Sequence, residues 1–215
     1  LTADIGDADA AAQAADPPTD VHWRAAPSFG DLAAAYPAMA REDGVGGQVM
    51  LACVFVTDSR LRNCAVESET PGGAGFGAAA KSLASRFQGP ERLPNGKPAA
   101  GVHARIAVSF SPDMLQAPSV TKPAWVTLPD AAAFQAAFPE AAAKAGVLKA
   151  RVVIGCTVDA TGGLTACEPV SEDPAGYGFG VATLPLAARF RLNLWGVDGR
   201  PVIGGTIRAP IRYAL

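Results

Sequence analysis

Histidine is nearly absent from this chain of 215 residues. His22 and His103 are its only imidazoles, and no two cysteines stand three apart, so a metal site lacks the close-spaced ligands it requires. No Gly-x-Ser-x-Gly occurs, and no serine, histidine and carboxylate can be nominated together, which argues against an enzyme. Excess charge is missing too: 18 Lys and Arg against 20 Asp and Glu give a net charge of −2. That balance offers no general attraction to nucleic acid or to an anionic membrane face. No run of 18 apolar residues is present to cross a bilayer as a helix, so a membrane is reached only through partners or a segment outside this chain. Residues 1–19 have almost no large apolar side chain and read as a flexible leader. With Leu1 in place of a Met or an apolar signal segment, the expectation is a signal-cleaved product or a fragment.

What is present is present twice. Cys53, Cys64, Gly75-Phe76-Gly77, Arg86-Phe87, Gly96, Pro98, Gly101 and Phe110 return 103 positions later as Cys156, Cys167, Gly178-Phe179-Gly180, Arg189-Phe190, Gly199, Pro201, Gly204 and Tyr213. Upstream, Trp23, Pro27 and Tyr36-Pro37 return 102 positions later as Trp125, Pro129 and Phe138-Pro139. A period this long suits a small domain with its own core, which predicts one repeat over 20–113, a linker over 114–121 and a second repeat over 122–215.

Each repeat carries one Cys-x10-Cys pair. If Cys53 faces Cys64, the hairpin centre falls between Asp58 and Ser59; if Cys156 faces Cys167, it falls on Thr161-Gly162. Both centres are turn sequences, and opposed residues of an antiparallel pair come close enough for a bridge. Buried free thiols are the alternative. Duplication of the pair favours disulfides, and with them an oxidising compartment, the periplasm or the cell exterior.

Patterning predicts the same elements in both repeats. Ser28 three residues before Asp31 marks a helix start, and Pro37 and Gly44 bracket a second short helix. Val49–Val56 is apolar on both faces, as expected of a central strand, and Leu61–Ser68 is its hairpin partner. Phe76, Ala79, Ala80, Leu83 and Phe87 share one helical face; in the second copy Pro185 should kink that helix or delay its start. Val102, Ala104, Ile106, Val108 and Phe110 alternate with His103, Arg105 and Ser109, a final strand with one wet face that Ile207, Ala209, Ile211 and Tyr213 repeat. A right-handed crossover puts that strand beside the first, giving an α+β domain with a three-stranded antiparallel sheet in the order 2-1-3 and two helical segments.

Gly73-Ala74-Gly75-Phe76-Gly77-Ala78 has the spacing of a dinucleotide loop. It lacks the acidic residue about 20 positions on, so loop-shaping glycines are the better account and no cofactor is expected. Arg86 and Arg189 suit the negative end of a helix, and Trp23 and Trp125 suit lids on their own repeats.

The ordered set of Tyr36-Pro37 and Phe138-Pro139, Gly47 and Gly146 ahead of apolar strands, Glu69-Thr70-Pro71 and Glu172-Asp173-Pro174, a helix ending in Arg-Phe, and Asn95-Gly96-Lys97-Pro98 and Asp198-Gly199-Arg200-Pro201 resembles the C-terminal domain of TonB-family energy transducers, in two tandem copies. The resemblance implies a periplasmic domain that captures an extended segment of an outer-membrane receptor or other envelope protein by adding it to the edge of its final strand. It nominates Val102, His103, Ala104, Arg105, Ile106 and Ala107 in the first repeat, Thr206, Ile207 and Arg208 in the second, and Gln135, which stands three before Phe138-Pro139 where the first repeat has Ala33. Pro210 at the position of Ala107 leads to the expectation that the first repeat is the better receptor. An accessory subunit that uses the same edges inside an envelope assembly is the alternative. Non-reduced peptide mapping of the exported protein should join Cys53 to Cys64 and Cys156 to Cys167; links crossing between repeats would refute the hairpin register.

Overall fold

Ser28 starts the first helix as its spacing from Asp31 predicts. Its hydroxyl accepts the Asp31 backbone N–H at 3.1 Å, and the Asp31 carboxylate accepts the Ser28 N–H at 2.9 Å, a reciprocal cap at the head of α1 (Phe29–Ala35). The computed structural model describes residues 21–214, so the expected leader lies outside the described residues. After α2 (Ala38–Glu42) come the hairpin β1 (Gly47–Phe55) and β2 (Leu61–Thr70), the helix α3 (Phe76–Leu83), β3 (His103–Phe110) and the short α4 (Asp113–Gln116). The second half runs β4 (Trp125–Thr127), α5 (Ala131–Ala136), α6 (Glu140–Lys144), β5 (Lys149–Val158), β6 (Leu164–Asp173), α7 (Phe179–Thr183), β7 (Arg191–Leu192) and β8 (Thr206–Ala214).

The protein is α+β, with two antiparallel three-stranded sheets in the orders β2-β1-β3 and β6-β5-β8. Cys53 is joined to Cys64 and Cys156 to Cys167, each pair with Cα atoms 4.1 Å apart. Next to each bridge the register slips by one residue, where Asn63 (φ 53°) and Ala166 (φ 47°) take left-handed backbone conformations. Two local expectations need correction. β1 has strand neighbours on both sides but only one core face; Met50, Ala52 and Val54 on the other are half-buried. Pro185 neither kinks α7 nor delays it: the helix starts at Phe179 and passes into a 3-10 helix over Leu184–Arg189. The tighter turn suits a residue without an N–H near a helix start.

The sheets bury their alternate residues on separate clusters. Leu51, Phe55, Phe76, Phe87, Ile106, Val108 and Phe110 centre one; Val152, Ile154, Val158, Phe179, Phe190, Ile207, Ile211 and Tyr213 centre the other. Trp23 covers Phe87 and Phe55 at centroid distances of 4.9 and 5.9 Å, and Trp125 covers Phe190 at 5.2 Å. Arg86 pairs with Asp31 at 3.1 Å and Arg189 with Asp130 at 4.0 Å, so each ties a helix end to an acidic residue at the start of another helix. Both arginines are exposed, so the pairs contribute little stability.

The clusters are not independent, because the segment before β8 crosses from one repeat to the other. Trp195 is 5% exposed and belongs to the first core, its ring edge-on to Phe87 at 4.8 Å. Asn193 donates to the Val21 carbonyl at 2.8 Å and accepts the Trp23 N–H at 3.0 Å, and the Phe29 N–H donates to the Ile203 carbonyl at 3.0 Å. Arg200 forks onto the two oxygens of Asp113 at 3.0 and 3.1 Å. Val120, between the halves, packs against both clusters. Trp195→Ala should cost about 3–5 kcal/mol in denaturant-induced unfolding, the usual loss for deleting a buried indole. An unchanged midpoint would show that the first core does not use it.

Candidate functional site

The outer strands of a sheet are where an extended partner could be added, because their outward N–H and C=O groups have no strand to pair with. In the two three-stranded sheets β1 and β5 are central, which leaves β2, β3, β6 and β8; β4 and β7 pair only with each other, as a short ribbon of three and two residues. β2 and β6 each suffer two register shifts against their neighbours, and β6 contains Pro169, features that blunt an edge. β3 and β8 pair with the central strands without a break, over Gly47–Val54 and Lys149–Thr157.

The two regular edges are in different states. On β3 the outward groups of alternate residues meet the second repeat: the Ala107 carbonyl accepts the Trp195 Nε1–H at 3.0 Å, and the Ser109 N–H donates to the Gly199 carbonyl at 2.8 Å. The Ser109 hydroxyl adds a bond to the Asp198 carbonyl at 2.7 Å. Gly199 is required there: its φ is 75°, and a Cβ would stand 2.8 Å from the Ala107 backbone. The end of the first-repeat edge is therefore occupied by the chain itself. On β8 the linker takes the first outward position, where the Thr206 N–H donates to the Pro118 carbonyl at 2.9 Å and the Thr206 carbonyl accepts the Val120 N–H at 2.8 Å. By the alternation of an antiparallel ladder, Arg208, Pro210 and Arg212 face the same way. Among the described residues their outward backbone groups have no partner.

Of the nominated residues, His103 and Arg105 are exposed on β3, Ala104 and Ile106 point into the first core, Val102 is half-buried just before the strand, and Ala107 lies under Trp195. Thr206 is engaged by the linker, Ile207 is buried and Arg208 is exposed. Gln135 is exposed on α5, whose neighbouring Phe134 meets Tyr213 of β8 edge-on at 5.8 Å. Trp195 was not nominated. Its signal lay in the repeat itself: Glu91 and Arg92 are exposed, yet their counterparts Leu194 and Trp195 are apolar and buried. A large apolar residue with a charged twin has a partner its twin lacks.

The counterpart of the glycine loop in the second half, residues 176–181, proves to hold an anion, one from its own chain. Glu172, at the end of β6, accepts the N–H groups of Gly176 at 2.9 Å, Gly178 at 3.2 Å and Gly180 at 2.6 Å. Those bonds, that from Gly180 foremost, hold its carboxyl below the usual carboxylate range. In the first repeat Glu69 approaches the same place, and a Cβ on Gly77 would lie 2.7 Å from its Oε2. A carboxylate already fills the concavity that a phosphate would need. Among the described residues no group of three or more metal-ligating side chains occurs, and no helix is long and apolar enough to cross a membrane.

No family model matches the chain. It is 36% identical over 92 residues to a protein of Caulobacter vibrioides described as uncharacterized, an alignment spanning 40% of this chain and 92% of the relative. Nearly the whole relative thus corresponds to a segment about as long as one repeat. A solved structure described as the molecular characterization of the TonB2 protein from Vibrio anguillarum aligns with 35% of this chain and 71% of its own length, at 22% identity and a TM-score of 0.29.

Because Glu172 accepts its backbone N–H groups more strongly as a carboxylate than as the neutral acid, the extra contribution of its charge to stability is full above the carboxyl's unfolded-state value. It is lost as pH falls through the lowered folded value. Glu172→Gln should cost about 1–2 kcal/mol at neutral pH, an allowance reduced for partial exposure. The difference from the parent should shrink in acid unfolding curves; a pH-independent difference would contradict the charged role.

Proposed function

The chain belongs to one family with the Caulobacter vibrioides protein, and we propose that it is a non-enzymatic binding protein of the periplasm that takes up an extended segment of an outer-membrane or other envelope protein. The segment is added along the outer edge of β8. One observation carries this reading: β8 is unbulged, and beyond Thr206 its outward backbone groups have no partner among the described residues. Main-chain bonds supply the affinity in such an addition, and side chains at alternate positions supply the selectivity. The resemblance to TonB C-terminal domains supports the same mode of capture, and the two disulfides support an oxidising compartment.

The preference between repeats is reversed from the one Pro210 suggested. Proline removes one outward donor from β8 and leaves the inner ladder intact, a loss of about 1 kcal/mol. Trp195 and Gly199 occupy two outward groups of β3 and bury an indole there, which a competing strand would have to displace. An accessory subunit is the second reading, favoured by that same permanent contact. The test is an amide-resolved titration of the full chain with an extended peptide. Shifts should follow Arg208 to Ala214 and spare Ala107 to Ser109, and N-methylation of alternate peptide residues should weaken binding several-fold. Shifts confined to β3, or indifference to N-methylation, would reject addition at β8.

A further inference from the structure

Four cations lie on the outer face of the second sheet, next to the open edge. Side chains alternate across a strand, and Arg208 and Arg212 of β8 share the exposed side with Lys149 and Arg151 of β5. The register sets Arg151 directly opposite Arg212, and Pro210 opposite Val153 between the charged positions. Among the described residues none of the four is within ion-pair distance of a carboxylate: Asp173 of β6 stands opposite Arg151, and Glu168 opposite Gly155, both on the side of β5 away from the open edge. The first sheet has Gly46, Gln48, Arg105 and Ser109 at the equivalent places. There the one cation is neutralised, since Arg105 Nε donates to Glu67 at 2.7 Å.

Like charges directly opposed across a strand pair weaken it, so the Arg151–Arg212 arrangement opposes the stability of the free sheet and is relieved when an anion comes between or beside them. We infer that the β8 edge selects an acidic extended segment, one with carboxylate side chains four residues apart and an apolar residue midway. In an added strand, residues opposite Arg208 and Arg212 are four apart and project onto the basic face, and the residue between them stands beside Pro210, with Val153 beyond it in the same row. This inference rests on the edge reading above and names the chemistry of what that edge receives.

The full chain is titrated with the peptide Thr-Glu-Thr-Val-Thr-Glu-Thr, its Gln counterpart and a backbone N-methylated form of the acidic peptide, following the amides of Arg208 to Ala214. The acidic peptide should bind about fivefold to tenfold more tightly than the Gln peptide at low salt, with the gap closing as salt screens the exposed pairs. The double variant Arg208→Gln/Arg212→Gln should abolish the gap and leave binding of the Gln peptide in place. Arg212→Gln alone should unfold at a slightly higher denaturant concentration than the parent, which separates lost recognition from lost folding. Equal binding of acidic and Gln peptides at β8 overturns the charge selection and leaves the edge reading standing. If the N-methylated acidic peptide binds as well as the parent peptide, edge pairing fails and the charge selection stands. Arginine-dependent binding to phosphatidylglycerol vesicles, with no response to any peptide, overturns the inference in favour of a lipid surface.

Discussion

Trp195 in the core of the other repeat is the contact from which the rest of the arrangement follows. The indole fills space beside Phe87, and its N–H reaches the Ala107 carbonyl at the rim of the first sheet. A buried indole needs that acceptor, and an exposed strand edge needs a donor. One residue meets both needs, and the chain on either side is then fixed in place: Asn193 ties back to Val21 and Trp23, Gly199 closes on Ser109, and Arg200 clasps Asp113.

This contact joins unlike surfaces, a loop on one repeat and a strand edge on the other. A heterologous contact of that kind would extend indefinitely if every repeat offered both halves. The equivalent loop of the first repeat does not offer that half, because it carries Glu91 and Arg92, both exposed, in place of Leu194 and Trp195. Arg92 has no apolar body to bury beside a second Phe, and it bonds within its own turn to the Gly96 carbonyl at 2.9 Å. The same asymmetry leaves β8 without the cover that β3 receives. An open edge at one end is thus a consequence of how the two halves are joined.

The glycine loops show the same economy of chemistry. A run of N–H groups at the start of a helix attracts an anion, which is why its spacing suggests a phosphate loop. Glu172 supplies the anion from the preceding strand, and the loop becomes a clasp between sheet and helix. Among the described residues Arg208 and Arg212, on the outer face of the second sheet, make no such bond to a carboxylate. That contrast separates a group built for folding from one turned toward solvent.

Local chemistry was legible in the residues themselves. The Ser28–Asp31 cap, the turn-centred hairpins, the paired cysteines and the alternation of the last strands depend on neighbours in sequence, and repetition made each visible twice. The sheet order followed as well, because handedness leaves one place for the final strand. Which edge is free was not legible, since His103–Phe110 and Thr206–Ala214 have the same alternation and Pro210 alone pointed to the first. That choice was made by Trp195, 88 residues from the carbonyl it bonds. Only packing of the two cores against each other brings such a pair together. Sequence alone therefore determined the hairpins, their bridges and the sheet order, while the tertiary structure decided which of two similar edges is covered at its end, because that cover is a contact between the two halves and local patterning describes only what lies within one.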